Sequence, residues 1–347
     1  MLKYFRILLF PFNLVYGLVV YARNKCYDWG IFQSVSFDIP VICIGNLVVG
    51  GAGKTPTTEY LVRLLSDYKI AILSRGYGRR TKGFVLADVH STAQTIGDEP
   101  LQYYRKFKQV TVAVCEDRVR GINQLKDHHD VILLDDAYQH RAVKPGYSIL
   151  LFEFSKLQSF QFLLPAGNLR EPFYAVERAQ SILITKSPTL LTADLRNNIE
   201  QKFNLTIEQQ LSFSSIRYGE PIHLLDGSVM DKFSHQHVFL LTGIANPAPL
   251  IGYLKEMPTV VHTFIYADHH DFSRHEIEKL VSAYKQHPAK EKIIITTEKD
   301  SQRLLDDNLK DLLLNLPIYY LPIAIELQEL DKNDFDQKIL DYVASAK

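Results

Sequence analysis

Several familiar signals are missing from this sequence, and each absence narrows its class. Cysteine is scarce: Cys26, Cys43 and Cys115 are an odd set with no Cys-x-x-Cys spacing. That argues against a disulfide framework or a zinc site and fits a reducing compartment. Excess charge of either sign is absent, with 39 basic and 39 acidic residues. Bulk charge therefore gives no pull toward nucleic acid. There is no internal repeat and no low-complexity tract. No apolar run reaches the roughly 20 residues that a membrane-spanning helix needs. What remains is a globular composition, 46% hydrophobic and 22% charged over 347 residues, enough for two domains or one large α/β domain with an extension.

One apolar run comes near the spanning length. Ile7 to Ala22 is interrupted by Pro11, Asn13 and Gly17, with Lys3 and Arg6 before it and Arg23 and Lys25 after it. Basic residues at both ends give no orientation across a bilayer. The exit Tyr21-Ala22-Arg23-Asn24 offers no small-x-small cleavage site, which disfavours a signal peptide. A buried core helix is one reading of such a run. A helix lying in a membrane interface is better supported. Tyr4, Phe5, Phe10, Phe12, Tyr16 and Tyr21 sit among the cations, a mixture suited to the headgroup boundary. Residues 1–30 are expected to form this membrane-associated helix.

Downstream, short β-branched runs recur at 41–44, 70–73, 110–114, 131–134, 148–152 and 181–184. They are unbroken rather than alternating, as strands buried on both faces of a parallel sheet are. Helical stretches separate several of them, which is the α/β rhythm. Residues 190–207 read as a helix and 211–222 as an extended linker. A second α/β segment begins at Val238, with strands at 293–296 and near 318–321. The expected organisation is a P-loop NTPase-type parallel-sheet domain over 31–215 and a smaller α/β domain over 216–347, joined by an extended hinge.

The chemistry starts at Gly50-Gly51-Ala52-Gly53-Lys54-Thr55, between the first strand and a helix beginning near Thr57. The pattern G-x-x-x-x-G-K-[ST] would put glycine at Val48; here the glycines are shifted inward. Strand, glycines, Lys-Thr and helix nevertheless coincide. Unpaired backbone N–H groups at a helix start then face an anion. Lys54 is placed to reach the β- and γ-phosphates of ATP, and Thr55 to offer its hydroxyl to Mg²⁺. Val131-Ile132-Leu133-Leu134-Asp135-Asp136 is an apolar strand ending in two carboxylates, which such a fold needs near the metal. Adjacent side chains on an extended chain diverge, so one of Asp135 and Asp136 holds the metal and the other serves a second role.

Further segments share this pattern: VICIGNLVVGGAGKTP (41–56), SRGYGR (74–79), GDEP (97–100), EDR (116–118), DDAYQHR (135–141), LPAGNLREP (164–172), DHH (268–270) and TTEKD (296–300). Together they resemble the tetraacyldisaccharide 4′-kinases, the lipid A 4′-kinases of Gram-negative bacteria. The likeness runs from the N-terminus to about residue 305. Val48 agrees with that family, while Ala137 stands where glycine is more usual. The resemblance implies an inner-membrane-associated enzyme, facing the cytoplasm, that moves the γ-phosphate of ATP to the 4′-hydroxyl of a lipid A disaccharide 1-phosphate. It also implies a hinged second domain. By position Asp98 is the catalytic base, and His269, from the second domain, is its partner. Pro100 is expected to push Glu99 out of helical geometry. Arg118 and Arg170 are the pair chosen to stabilise phosphate charge, ahead of Arg75 and Arg79. Glu171 either assists Mg²⁺ or salt-bridges an arginine. Gln139 and His140 line the nucleotide site, or His140 packs in the core. Lys299 and Asp300 are assigned a structural or hinge role.

A regulatory GTPase is the main alternative. Guanine readers of this class carry [NT]KxD after a strand, and Thr185-Lys186-Ser187-Pro188 has proline where that carboxylate is needed.

Overall fold

The computed structural model describes residues 9–158, 161–230, 233, 236–257, 259–305 and 307–345. Lys3, Tyr4, Phe5, Arg6 and Ile7, which entered the reading of the N-terminal helix, lie outside the described residues. A first sheet contains β1 (Val41–Asn46), β2 (Ile70–Ser74), β3 (Val85–Leu86), β4 (Thr111–Val114), β5 (Val131–Asp135), β6 (Tyr147–Glu153), β7 (Ser181–Thr185) and β8 (Gln210–Tyr218). The second contains β9 (Ile222–His223), β10 (His237–Thr242), β11 (Val260–Ile265), β12 (Lys292–Thr297) and β13 (Ile318–Leu321). The chain then returns to the first sheet through β14 (Ile323–Leu327). Helices used below are α1 (Phe10–Asp28), α2 (Lys54–Leu64), α3 (Asp98–Lys106), α4 (Arg118–Leu125), α5 (Arg274–Gln286), α6 (Glu298–Leu304) and α7 (Glu329–Ser345).

The first sheet runs β14-β8-β7-β6-β1-β5-β2-β4-β3 and is parallel except at its two edges. Every residue of β1, β5, β6 and β7 is buried. Val41 and Cys43 pack into one helical layer, Ile42 and Ile44 into the other. That two-sided burial is why these runs do not alternate. β1 lies between β5 and β6, with Ile44 in register with Asp135. The phosphate loop and the paired carboxylates therefore leave the same edge side by side. The second sheet runs β11-β10-β12-β13-β9.

Four expectations change. Residues 211–222 are mostly not a linker: β8 pairs parallel with β7 and antiparallel with β14. Ser212 and Ser214 are buried with Phe213 between them, so polar residues broke the apolar pattern of a buried strand. The second unit does not hold everything from 216 to 347. Ile325 and Leu327 of β14 and Phe335, Ile339 and Val343 of α7 pack with Leu61 and Val62 of the loop helix α2. The helix expected over 190–207 is shorter, Ala193–Glu200, and starts where Thr192 accepts from Leu195 N–H. Glu99 is helical: Pro100 falls in the first turn of α3, where its missing N–H would have had no partner.

The helix α1 is amphipathic in an inverted sense. Its buried residues are Asn13, Val20 and Asn24, while Leu14 and Leu18 are 71% and 67% exposed. Its polar stripe docks: Asn13 Oδ1 accepts from Ala166 N–H at 2.9 Å, and Tyr16 donates to the Arg170 carbonyl at 2.8 Å. Arg141 holds its end through the Asn24 carbonyl and Asp28, both at 2.8 Å. Among the described residues, no helix is long and apolar enough to cross a membrane.

Candidate active site

The phosphate loop is braced from three strands. Gly53 adopts φ 84°, a left-handed turn that costs glycine nothing, and α2 starts at Lys54. Lys54 Nζ lies 3.3 Å from Asn46 Oδ1 at the end of β1 and 3.5 Å from Asp136 Oδ2 beyond β5. From the end of β7, Thr185 donates to the Ala52 carbonyl at 2.8 Å and Lys186 to the Gly51 carbonyl at 2.6 Å. Gln139 donates to the Asn46 carbonyl at 2.9 Å. Gly50, Gly51, Ala52, Lys54, Thr55 and Gln139 thus share one end of the sheet.

Asp135 and Asp136 differ sharply. Asp135 is fully buried and accepts from Tyr103 OH at 3.3 Å to Oδ2; among the described residues its Oδ1 has no partner. Burial, then repulsion from Glu99 and Asp136, raises its pKa to about 7. A buried, partnerless carboxylate oxygen beside a phosphate loop is a fitting ligand for a cation. Asp136 turns out of the strand at φ 48° and accepts from Arg170 Nη1 at 3.1 and 3.2 Å. Burial would raise its pKa, but Lys54 and Arg170 outweigh that and lower it.

The two selected arginines have different partners. Arg170 pairs with Asp136, with Gln139 Oε1 at 3.5 Å. Arg118 is buried, donates to the carbonyls of Cys115 and Glu116 at 3.2 Å, and leaves Nε without a partner. Burial, then the charge of Arg75, lowers its pKa. Of the two roles held open for Glu171, the structure shows the salt bridge. Its Oε2 accepts from Arg178 at 2.6 Å, while its buried Oε1 has no hydrogen-bond partner among the described residues and lies 3.9 Å from Arg23, so the salt bridge leaves one oxygen open to a cation. Arg79 is engaged by Glu116 and the Gly83 carbonyl. His140 is half-buried, its pKa lowered by burial and by Arg118.

The second constellation joins the sheets. Asp98 opens α3 behind Gly97, whose φ of 93° is a turn suited to glycine. Its carboxylate is buried and meets three donors: His269 Nδ1 at 3.1 Å, Arg303 Nε at 2.9 Å, and Arg303 Nη2 in a short contact. Burial opposes ionisation of Asp98, but His269 and Arg303 prevail and lower its pKa. Lys299 Nζ lies 2.9 Å from His269 Nε2. An ammonium only donates, so Nε2 accepts; Nδ1, which faces the Asp98 carboxylate and also stands 3.1 Å from Arg303 Nη2, then carries the ring proton toward Asp98. A cavity of about 140 Å³, lined by Tyr77, Arg80, Gln94, Asp98, His269 and Arg303 among others, opens beside this cluster.

His269, Asp136 and Lys186 all adopt left-handed backbone, at φ 57°, 48° and 55°. Local strain is thus concentrated where the side chains converge. Lys299, expected to be structural, touches His269. Asp300 accepts from Thr242 Oγ1 at 3.2 Å and Gly243 N–H at 3.0 Å, bracing the turn after β10. Arg303 was not legible as a site residue. Its one sequence signal is that it follows Lys299 by one helical turn on α6.

Comparison with known proteins points to one family. The family model for tetraacyldisaccharide-1-P 4′-kinase (LpxK) matches residues 5–344. The tetraacyldisaccharide 4′-kinase of Bacteroides thetaiotaomicron is 44% identical, over 96% of this chain and 92% of that protein. That of Flavobacterium johnsoniae is 45% identical, over 97% of each. Among solved structures, LpxK from Aquifex aeolicus, an "apo" form in complex with ATP, is similar at a TM-score of 0.76. It is 26% identical, with 98% of this chain and 99% of that one covered.

Proposed function

The chain belongs to the tetraacyldisaccharide-1-P 4′-kinase family, and we infer that it transfers the γ-phosphate of ATP to the 4′-hydroxyl of a lipid A disaccharide 1-phosphate. A regulatory GTPase is not favoured, because Pro188 stands where the guanine-reading carboxylate belongs.

The carrying observation is the course of α3. Its first residue, Asp98, faces His269 and Arg303 of the second unit, and Tyr103, further along the helix, touches Asp135 beside the phosphate loop. One rigid element therefore links an acceptor-side base to the nucleotide side. In the reading we propose, the loop amides of Gly50–Gly53 and Lys54 hold the β- and γ-phosphates. Thr55 with Asp135 and Asp136 would hold Mg²⁺, which when bound offsets charge on the phosphate oxygens. Glu171 is a further candidate, since Oε2 pairs with Arg178 while its buried Oε1 has no hydrogen-bond partner among the described residues. Arg118, buried with a free Nε, and Arg170 balance charge on the transferring group.

The acceptor sugar enters the cavity beside Asp98. As the 4′-oxygen bonds to phosphorus and the bond to the ADP oxygen breaks, the hydroxyl proton passes to Asp98. A low-pKa carboxylate suffices, because the proton leaves late in a loose transition state. His269 and Arg303 orient the carboxylate, and Lys299 fixes the His269 tautomer. The outward apolar face of α1 brings the enzyme to the acyl-bearing substrate on the cytoplasmic face of the inner membrane.

Purified protein with Mg²⁺-ATP and the disaccharide 1-phosphate should give the 1,4′-bisphosphate. Asp98→Asn should cut kcat by about 10²–10⁴ while ATP binding persists. Failure of transfer in every detergent tried would refute the substrate assignment; a near-normal kcat for Asp98→Asn would remove Asp98 as base.

A further inference from the structure

Away from this site, three histidines converge on the second sheet. His237 opens β10, His262 lies in the neighbouring β11, and His287 follows the last residue of α5. Phe239, the ladder partner of His262, follows His237 by two residues, so His237 and Phe239 point to one face. On that face α5 packs, and its end delivers His287. One ring nitrogen of each histidine lies within 4.8 Å of the others, and His237 Nδ1 is 3.3 Å from His262 Nε2. All three rings are half-buried; Phe239 stacks on His262 at 4.7 Å and meets His287 edge-on at 5.5 Å. The active-site residues lie at the other end of β10, where Thr242 meets Asp300.

We propose that His237, His262 and His287 bind a divalent transition metal of the zinc class through one nitrogen from each ring, with water completing the shell. Imidazole suits such ions, whereas Mg²⁺ prefers oxygen ligands. At zinc–nitrogen distances of about 2.0–2.1 Å, tetrahedral ligand atoms stand about 3.4 Å apart. The His237–His262 pair already has that spacing. His287, just past a helix end, need advance only about 1–1.5 Å by side-chain rotation to match it. Its Nδ1 accepts a long bond of 3.3 Å from Ala289 N–H, which ligation at either nitrogen would displace.

Metal capture also needs unprotonated rings. Burial, then the neighbouring His237, lowers the pKa of His262. His287 is lowered by burial, then by His237, His262 and Lys292. The Lys292 ammonium is held by the carbonyls of Tyr284 and His287 at 2.6 Å. The bound ion would clip β10, β11 and the end of α5 together, adding to the stability of the second unit without entering phosphoryl transfer.

The test uses the full chain, stripped with a chelator and titrated with Zn²⁺, or with Co²⁺ as a coloured probe, while Mg²⁺-ATP occupies the nucleotide site. We expect one equivalent bound with a Kd of about 1 μM or below, a rise in Tm, and Co²⁺ absorption of tetrahedral intensity. His262→Gln and His287→Gln should each weaken binding by more than about tenfold, with turnover in Mg²⁺-ATP within about twofold of the parent. Metal-free melts report whether the variants fold, and His287→Gln, at a helix end, decides the matter if His262→Gln does not. Absence of binding below about 100 μM, or binding unchanged in a folded variant, would overturn the assignment.

Discussion

Asp98 shows how much a single carboxylate depends on its surroundings. His269 and Arg303 hold its pKa below the ordinary value of 3.8. A depressed carboxylate contributes stability above its unfolded pKa and loses that contribution as pH falls through the lower, folded value. In the reading proposed here, the same depression sets the acid limb of the rate profile. Replacing Arg303 with Met removes a lowering charge, so the acid limb of kcat/KM should move to higher pH. His269→Ala should shift it the same way with a smaller loss of turnover. Profiles that superimpose on the parent's would show that neither residue tunes Asp98. Arg303→Lys should recover little, since one ammonium cannot replace a fork that meets both carboxylate oxygens.

The helix α1 carries its prediction in the face it exposes. Leu14 and Leu18 project outward while Asn13, Tyr16 and Arg23 are tied to the protein. Leu14→Glu and Leu18→Glu should hardly change the melting of the detergent-free protein, because neither side chain is buried. Each should lower binding to anionic vesicles about tenfold or more, the cost of losing one inserted leucine. Flotation that is unaltered in the double variant would show that α1 is not the membrane contact. The connection of Tyr16 and Arg23 to the carbonyls of Arg170 and Gln139 joins this helix to the nucleotide side. The helix therefore sits directly on the segment that bears Arg170.

Across the whole molecule, the two sheets are tied by Glu59 of α2, Lys106 of α3 and Glu298 of α6. Lys106 lies 2.6 Å from Glu59 and 2.7 Å from Glu298. Burial, then repulsion from Glu59, raises the pKa of Glu298 to about 7. Its contribution to stability is full below about 4.5 and lost as pH rises through 7. Glu298→Gln does not titrate, so its stability relative to the parent should rise by about 1–3 kcal/mol between pH 5 and pH 8. A pH-independent difference in urea melts would show that the tie is not strained at neutral pH. Nucleotide should stabilise the same assembly by about 2.7 kcal/mol at a hundredfold excess over Kd, and Lys54→Ala should abolish that shift.

Much of this protein is determined by the order of its residues alone. A doubly buried strand is apolar over most of its length, and a phosphate loop must place glycine and lysine just before a helix. Both rules are local, so β1, β5 and the 50–55 loop were legible, and the motif set carried the family. The buried serines of β8 hid a strand, and nothing local showed that β14 and α7 return to the first sheet. Arg303 became a partner of Asp98 only because α6 crosses to α3, a contact spanning 205 residues. The outward turn of an apolar helix face and the meeting of His237, His262 and His287 from separate elements likewise lie beyond local spacing. Such contacts depend on which surfaces pack together, and packing, not sequence spacing, decided them.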